Sequence, residues 1–283
     1  MTEFDPEISS APKGPVAKFF ISGWSNLVRM MAANALFVLF NIPAIILAGF
    51  MSVQFVPWIA PHFIDVNSYI DPVTGSDQGV MELYFLLIIF LLNLLVSSTL
   101  ISVGPFQAGF AQVYKDINND CSVSFFSSFK TGLNNNWKKG LVSMLIGLVI
   151  TPVILLAIGF YLNFSSSIGT IIGAVFIVLL FAFILVQNFV YTLMVSTDLK
   201  LSKIYKNAIL FVLLRFVPCL GLSLVVIIFY VVIPFILLMS ASYLTLGIFV
   251  FLYSFIVISW VQYFISFYTG RLISKYVAES KEE

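Results

Sequence analysis

The sequence predicts an all-α membrane protein: a six-helix transmembrane bundle with amphipathic elbow helices at the cytoplasmic surface. Three observations predict it. Of 283 residues, 60% are apolar and 10% charged, and mean hydropathy is +1.06. An average soluble domain is about 25% charged and must turn a wetted surface outward. Six stretches are apolar over the ~20 residues that a helix needs to cross a bilayer. All 14 Lys and Arg residues fall in connections on one side of those stretches.

The chain reads as one transmembrane domain over 1–283. Residues 1–18 carry Glu3, Asp5 and Glu7 among prolines and lack the apolar core of a secretory signal, so they read as a disordered cytoplasmic N-terminus. Spans are predicted at about 30–52, 82–110, 140–162, 168–195, 216–239 and 243–268. Backbone groups in lipid must be satisfied internally, so runs this long read as helices; β-barrel strands would be shorter and alternate in polarity. The second and fourth exceed one bilayer thickness and are expected to tilt or project. Residues 269–283 form a cytoplasmic tail.

The connections alternate in charge. Residues 53–81 form an acidic outer loop with His62, Asp65, Asp71 and Asp77 and no Lys or Arg. The turns at 163–167 and 240–242 are short and uncharged. The opposite connections hold Lys115, Lys130, Lys138 and Lys139, then Lys200, Lys203, Lys206 and Arg215. The positive-inside rule places both termini in the cytoplasm. Before three spans lie elbows that mix apolar residues with Lys or Arg: Val16–Arg29, Ser122–Lys139 and Thr197–Arg215. In the second, Phe125, Phe126, Phe129 and Leu133 recur near helical spacing, with Lys130 on another face. Arg29–Pro43, Lys139–Pro152 and Lys206–Pro218 open three hairpins, either as a faint repeat of elbow-plus-hairpin units or by coincidence.

The inventory of ionisable groups excludes several functions. Residues 30–52, 83–110, 140–195 and 216–268 contain no Asp, Glu, Lys, Arg or His. Proton-coupled carriers keep an intramembrane acid or histidine relay. Intramembrane aspartyl and metalloproteases need paired carboxylates or His ligands. No catalytic residue, cofactor or metal site is therefore expected, and the chain reads as not an enzyme. Cys121 and Cys219 are far apart on the cytoplasmic side, and with His62 they do not make up a metal ligand set. The spacing of Asp65, Asp71 and Asp77 fits no calcium loop. A net charge of +1 argues against nucleic acid.

Uncharged polar residues do occur in the spans: Asn34, Asn41, Asn93, Thr99, Gln107, Gln112, Gln187 and Asn188. An amide in hydrocarbon needs a partner. Such residues serve either as interhelical glue, worth roughly 0.6–2 kcal/mol each, or as the lining of a solute path. Gln107, Gln187 and Asn188 are the best lining candidates because they cluster toward the cytoplasmic half. Gly169 and Gly173 form a GxxxG, and Ser143, Gly147 and Thr151 a small-residue ridge; both permit close helix contact within the chain or between copies. Pro43, Pro152, Pro218 and Pro234 start or bend helices.

One block goes beyond composition. Gly104-Pro105-Phe106-Gln107-Ala108-Gly109-Phe110 leads to Val113-Tyr114-Lys115-Asp116, then Ser124-Phe125-Phe126-Ser127-Ser128-Phe129-Lys130, then Asn134-Asn135-Asn136-Trp137-Lys138-Lys139. This resembles the YesL-like family of bacterial integral membrane proteins, a domain of unknown function, over roughly 19–50 and 99–160. The resemblance implies an accessory role in carbohydrate uptake, with an ABC-type sugar transporter permease as partner beside the lipid bilayer. Phe125, Phe126, Phe129, Lys130 and Trp137 are the docking residues it suggests. The alternative function is a facilitative transporter or channel for a small polar solute, lined by amides and shaped by kinks. The two readings differ in the interior they expect: a solute-sized polar cavity for the transporter, a filled core for the subunit.

Overall fold

The computed structural model describes residues 14–42, 45, 46, 48–50, 87, 91, 104–121, 124–164, 166–239 and 242–279. Every element among them is helical: α1 (Pro15–Ser25), α2 (Leu27–Phe40), α3 (Pro105–Asn118), α4 (Phe125–Leu162), α5 (Ser167–Ser196), α6 (Leu201–Leu214), α7 (Phe216–Met239), α8 (Tyr243–Phe255) and α9 (Val257–Glu279). Three of them, α4, α5 and α7, are long and apolar enough to cross a bilayer. The pair α8 and α9, bent by 43°, makes a fourth if counted as one span. The flanks of α4, α5, α7 and α8 expose large apolar side chains such as Val149, Val153, Ile171, Val178, Leu224 and Val250. An apolar surface of that extent suits a lipid solvent and not water.

The predicted fourth and fifth spans match α5 and α7 to within a residue. The second, third and sixth differ from expectation. The predicted second span, 82–110, does not run through. Gly104 sits at φ +40, where a side chain is strained, and Pro105 lacks the N–H that would continue a helix, so the chain turns at Gly104 and α3 begins at Pro105. Before that turn only Leu87 and Leu91 are described, packed near Leu222, Val226 and Val261. The elbow and span predicted to meet at 139/140 are one uninterrupted helix, α4, about 57 Å long at 1.5 Å per residue. That is well beyond a hydrocarbon core of about 30 Å. The predicted sixth span breaks at Ile256 (φ −129, ψ −62), and its second half continues to Glu279. Of the predicted first span, α2 and a few helical residues beyond Asn41 are described. The outer loop at 53–81 and its acids lie outside the described residues.

The small helix α3 is the hub. It touches α1, α2, α4, α5 and α9, and eight of its residues are buried, which a peripheral elbow would not show. Its closest partner is α4, and glycine sets the approach. A Cβ on Gly132 would lie 2.5 Å from the Ala108 carbonyl, one on Gly109 2.7 Å from Phe129, and one on Gly140 2.8 Å from the Pro105 Cα. The Gly-Pro-x-x-Ala-Gly block is thus one face of a tight helix crossing, answered by Gly132 and Gly140 on the other. Gly169 and Gly173 serve the α4–α5 hairpin, pressed against Phe164, Tyr161 and Leu162 of the same chain.

Contacts between connections gather the basic segments at one end of the bundle. Lys18 pairs with Asp120 at 3.6 Å, and Arg29 Nη1 donates to the Cys121 carbonyl at 2.9 Å. Lys115 Nζ donates to the Val195 carbonyl at 2.7 Å, capping the C-terminal end of α5. Arg215 donates to Tyr276 Oη at 2.8 and 3.1 Å.

Candidate functional site

Three helices meet in the interior above that end. Gln107, Ala111 and Tyr114 of α3, Gln187, Asn188, Tyr191 and Thr192 of α5, and Gln262, Ile265 and Ser266 of α9 line a single chamber of about 20 Å³. The three amides singled out in the sequence, Gln107, Gln187 and Asn188, are therefore brought together. The reason is helical register. On α3 the polar or small positions 107, 111, 114 and 118 share a face; on α5 the series is 188, 192, 196; on α9 it is 262, 266, 270, 274. Each helix contributes one polar stripe, and the stripes face each other.

The chamber is partly self-satisfied. Gln107 Nε2 donates to Gln262 Oε1 at 3.3 Å. Gln187 Nε2 donates to Tyr205 Oη at 3.1 Å, and Tyr205 Oη shares a 2.9 Å hydrogen bond with Ser143 Oγ of the small-residue ridge. Burial raises the Tyr205 hydroxyl above its ordinary pKa, so it stays protonated through neutral pH. Four polar atoms of the lining have no partner among the described residues: Gln107 Oε1, Gln187 Oε1, Asn188 Nδ2 and Ser266 Oγ. A buried water needs at least ~10–15 Å³ and two to four polar partners, and the chamber meets both requirements. It falls far below the ~300 Å³ at which pockets for small molecules begin.

Thr192 and Ser266 also line a second, larger space on the side of the basic end, a cleft of about 520 Å³. Lys18 of α1, Lys115 of α3 and Arg271 of α9 border it, as do Asn118, Asn119, Ser196 and Ser274. Chamber and cleft thus share a wall at the Thr192–Ser266 level.

The five residues expected at a docking surface separate. Phe125 is buried against Phe129, with ring centroids 6.0 Å apart. Phe129 packs on Phe110 at 5.0 Å and stacks with Phe40 and Phe106, each at 6.4 Å. These two rings hold α4 to α3 and α2 and face inward. Phe126 (71% exposed), Lys130 and Trp137 (46% exposed) face outward. Among the described residues no three His, Cys, Asp or Glu side chains lie together. Cys121 is exposed and Cys219 buried, both as free thiols.

Gln262, Ser266 and Tyr191 were not singled out in the sequence. The signal that could have found the first two is the four-residue spacing of Gln262, Ser266, Gly270 and Ser274 inside an otherwise apolar helix. Comparison with protein-family models, with curated proteins and with solved structures finds no match to this chain.

Proposed function

We propose that this multi-pass membrane protein is a non-enzymatic accessory subunit of a carbohydrate-uptake system, seated beside an ABC-type permease. The observation that carries this reading is the small size of the chamber. The place where the three polar stripes meet has room for a water and not for a sugar. The block from Gly104 to Lys139, which resembles the YesL-like family, supports the link to carbohydrate uptake. Its outward residues, Phe126, Lys130 and Trp137, together with Lys138, supply an aromatic and cationic strip on the part of α4 that exceeds a bilayer's thickness. That strip suits an acidic coupling segment of a permease.

A second reading is favoured by one specific feature. The cleft meets the chamber at Thr192 and Ser266, as would one half of a facilitative path closed at its inner end. Reconstitution separates the two. Under the first reading, liposomes holding the purified chain take up labelled mono- and disaccharides no faster than empty ones, and crosslinking in native membranes recovers a multi-pass permease. Phe126→Ser with Trp137→Ser then reduces that recovery while expression holds. Saturable uptake by the chain alone rejects the subunit in favour of the path; unchanged recovery with the double variant rejects the docking strip.

A further inference from the structure

We infer that the basic cleft is a binding site for a phosphate-bearing anion. At about 520 Å³ the cleft lies within the size range of ligand pockets, and among the described residues no carboxylate lines it. Its three cations come from three different helices, so their convergence is a product of the fold and not of a local charge run.

Each cation has a separate account. Lys18 is partly neutralised by Asp120 at 3.6 Å. Lys115 is half-buried and gives one N–H to the Val195 carbonyl; helix capping explains that bond, and two N–H groups remain. Arg271 has no hydrogen-bond or ion-pair partner for its guanidinium among the described residues. A guanidinium fork at a cleft rim matches two oxygens of a phosphate at once, a pairing that a neutral sugar does not offer.

The neutral groups agree in sign. Pro15 lines the cleft, so the first turn of the eleven-residue α1 borders it, and Gly14 at its N-cap offers no side-chain acceptor to the free N–H groups. Those N–H groups and the positive end of the helix dipole favour an anion. At the cleft's inner wall Ser266 is 2% exposed, and its Oγ has no partner among the described residues. A buried hydroxyl without a partner is costly, and a phosphate oxygen would accept from it. The C-terminal ends of α3 and α5 bring carbonyls to the same cleft, which opposes an anion; Lys115 offsets the second of them.

Phosphate chemistry reaches such a site from two sources, an anionic phospholipid headgroup or a soluble phosphate ester. The test therefore has two arms on the purified full-length chain. In nanodiscs, phosphatidylglycerol is measured against phosphatidylcholine by the lipid retained on the protein in native mass spectrometry. In neutral detergent, labelled inorganic phosphate is measured by equilibrium dialysis. Selective retention in the first arm assigns the headgroup, and saturable binding in the second assigns a soluble ligand. In whichever arm binds, Arg271→Gln is expected to weaken binding roughly tenfold or more. Lys275→Gln, one turn further along α9 and outside the cleft lining, is expected to leave binding unchanged. Binding in neither arm overturns the inference, as does an Arg271→Gln variant that binds like the parent or a Lys275→Gln variant that loses as much.

Discussion

At the scale of single residues, the amides in the hydrocarbon divide into two kinds. Asn34 is a clamp. Its Oδ1 accepts from the Ser259 amide at 2.8 Å, and its Nδ2 donates to the Tyr253 carbonyl at 2.7 Å. Those two groups are orphaned by the break at Ile256: one is a free N–H in the first turn of α9, the other a free carbonyl in the last turn of α8. A side chain from α2 thus caps both ends of a broken span. Ser259 Oγ adds a 2.7 Å donation to the Met30 carbonyl. Replacing Asn34 with Leu leaves both backbone groups unpaired, and the expected loss is about 1–3 kcal/mol. Thermal unfolding in detergent should register it as a fall of several degrees. Gln107, Gln187 and Asn188 are the other kind, each with an unsatisfied atom at a shared chamber. Sequence could rank them because an amide in an apolar run demands a partner. It could not see Gln262 and Ser266 join them, since which stripe faces which depends on helix rotation and not on composition.

At the scale of elements, the account turns on where helices break. Three expected continuities or joints came out differently, at Gly104, at 139/140 and at Ile256. The α3–α4 crossing admits Gly140 inside a helix because a side chain there would strike Pro105. Nothing at Lys138–Leu141 stops the helix, so elbow and span fuse. At Arg215 and at Asn26 the backbone does leave helical angles, and two elbows remain separate helices. In α7, Pro234 cannot donate to the widened turn at Ile228–Val232, and the Phe229 carbonyl takes a hydrogen bond from Tyr253 Oη instead. Apolar length, read from sequence, located α5 and α7 well. It could not distinguish a continuous helix from two halves joined at Ile256, because both are equally apolar. Glycine substitutions test the crossing. Gly132→Val should separate α3 from α4 and abolish a folded, monodisperse protein in size-exclusion chromatography. Gly221→Ala, where an added Cβ meets nothing within 4 Å among the described residues, should stabilise α7 slightly, by up to ~1 kcal/mol, with a correspondingly higher unfolding temperature.

At the scale of the whole molecule, one arrangement organises the rest: the long helices carry apolar flanks that suit lipid, and the cations that bond between described segments share one end. Bonds from Lys18, Arg29, Lys115 and Arg215 tie four sequence-distant segments together there. The turns near Phe164 and Tyr243 lie at the far ends of long apolar helices. This alternation was legible from charge alone, because a lysine in a connection is visible without any knowledge of packing. The cleft was not legible, since Lys18, Lys115 and Arg271 converge only after α3 takes its place at the hub.

The most direct test of this arrangement labels cysteines with a membrane-impermeant maleimide. Cys121 is exposed at the basic end, and Cys219 is buried. Phe164 is 57% and Tyr243 95% exposed at the opposite turns, so Phe164→Cys and Tyr243→Cys in a Cys121→Ser background supply the other side. The account predicts that the two new thiols react in intact cells and that native Cys121 reacts only after the membrane is opened. Labelling of Cys121 and of the new thiols from the same side would contradict it.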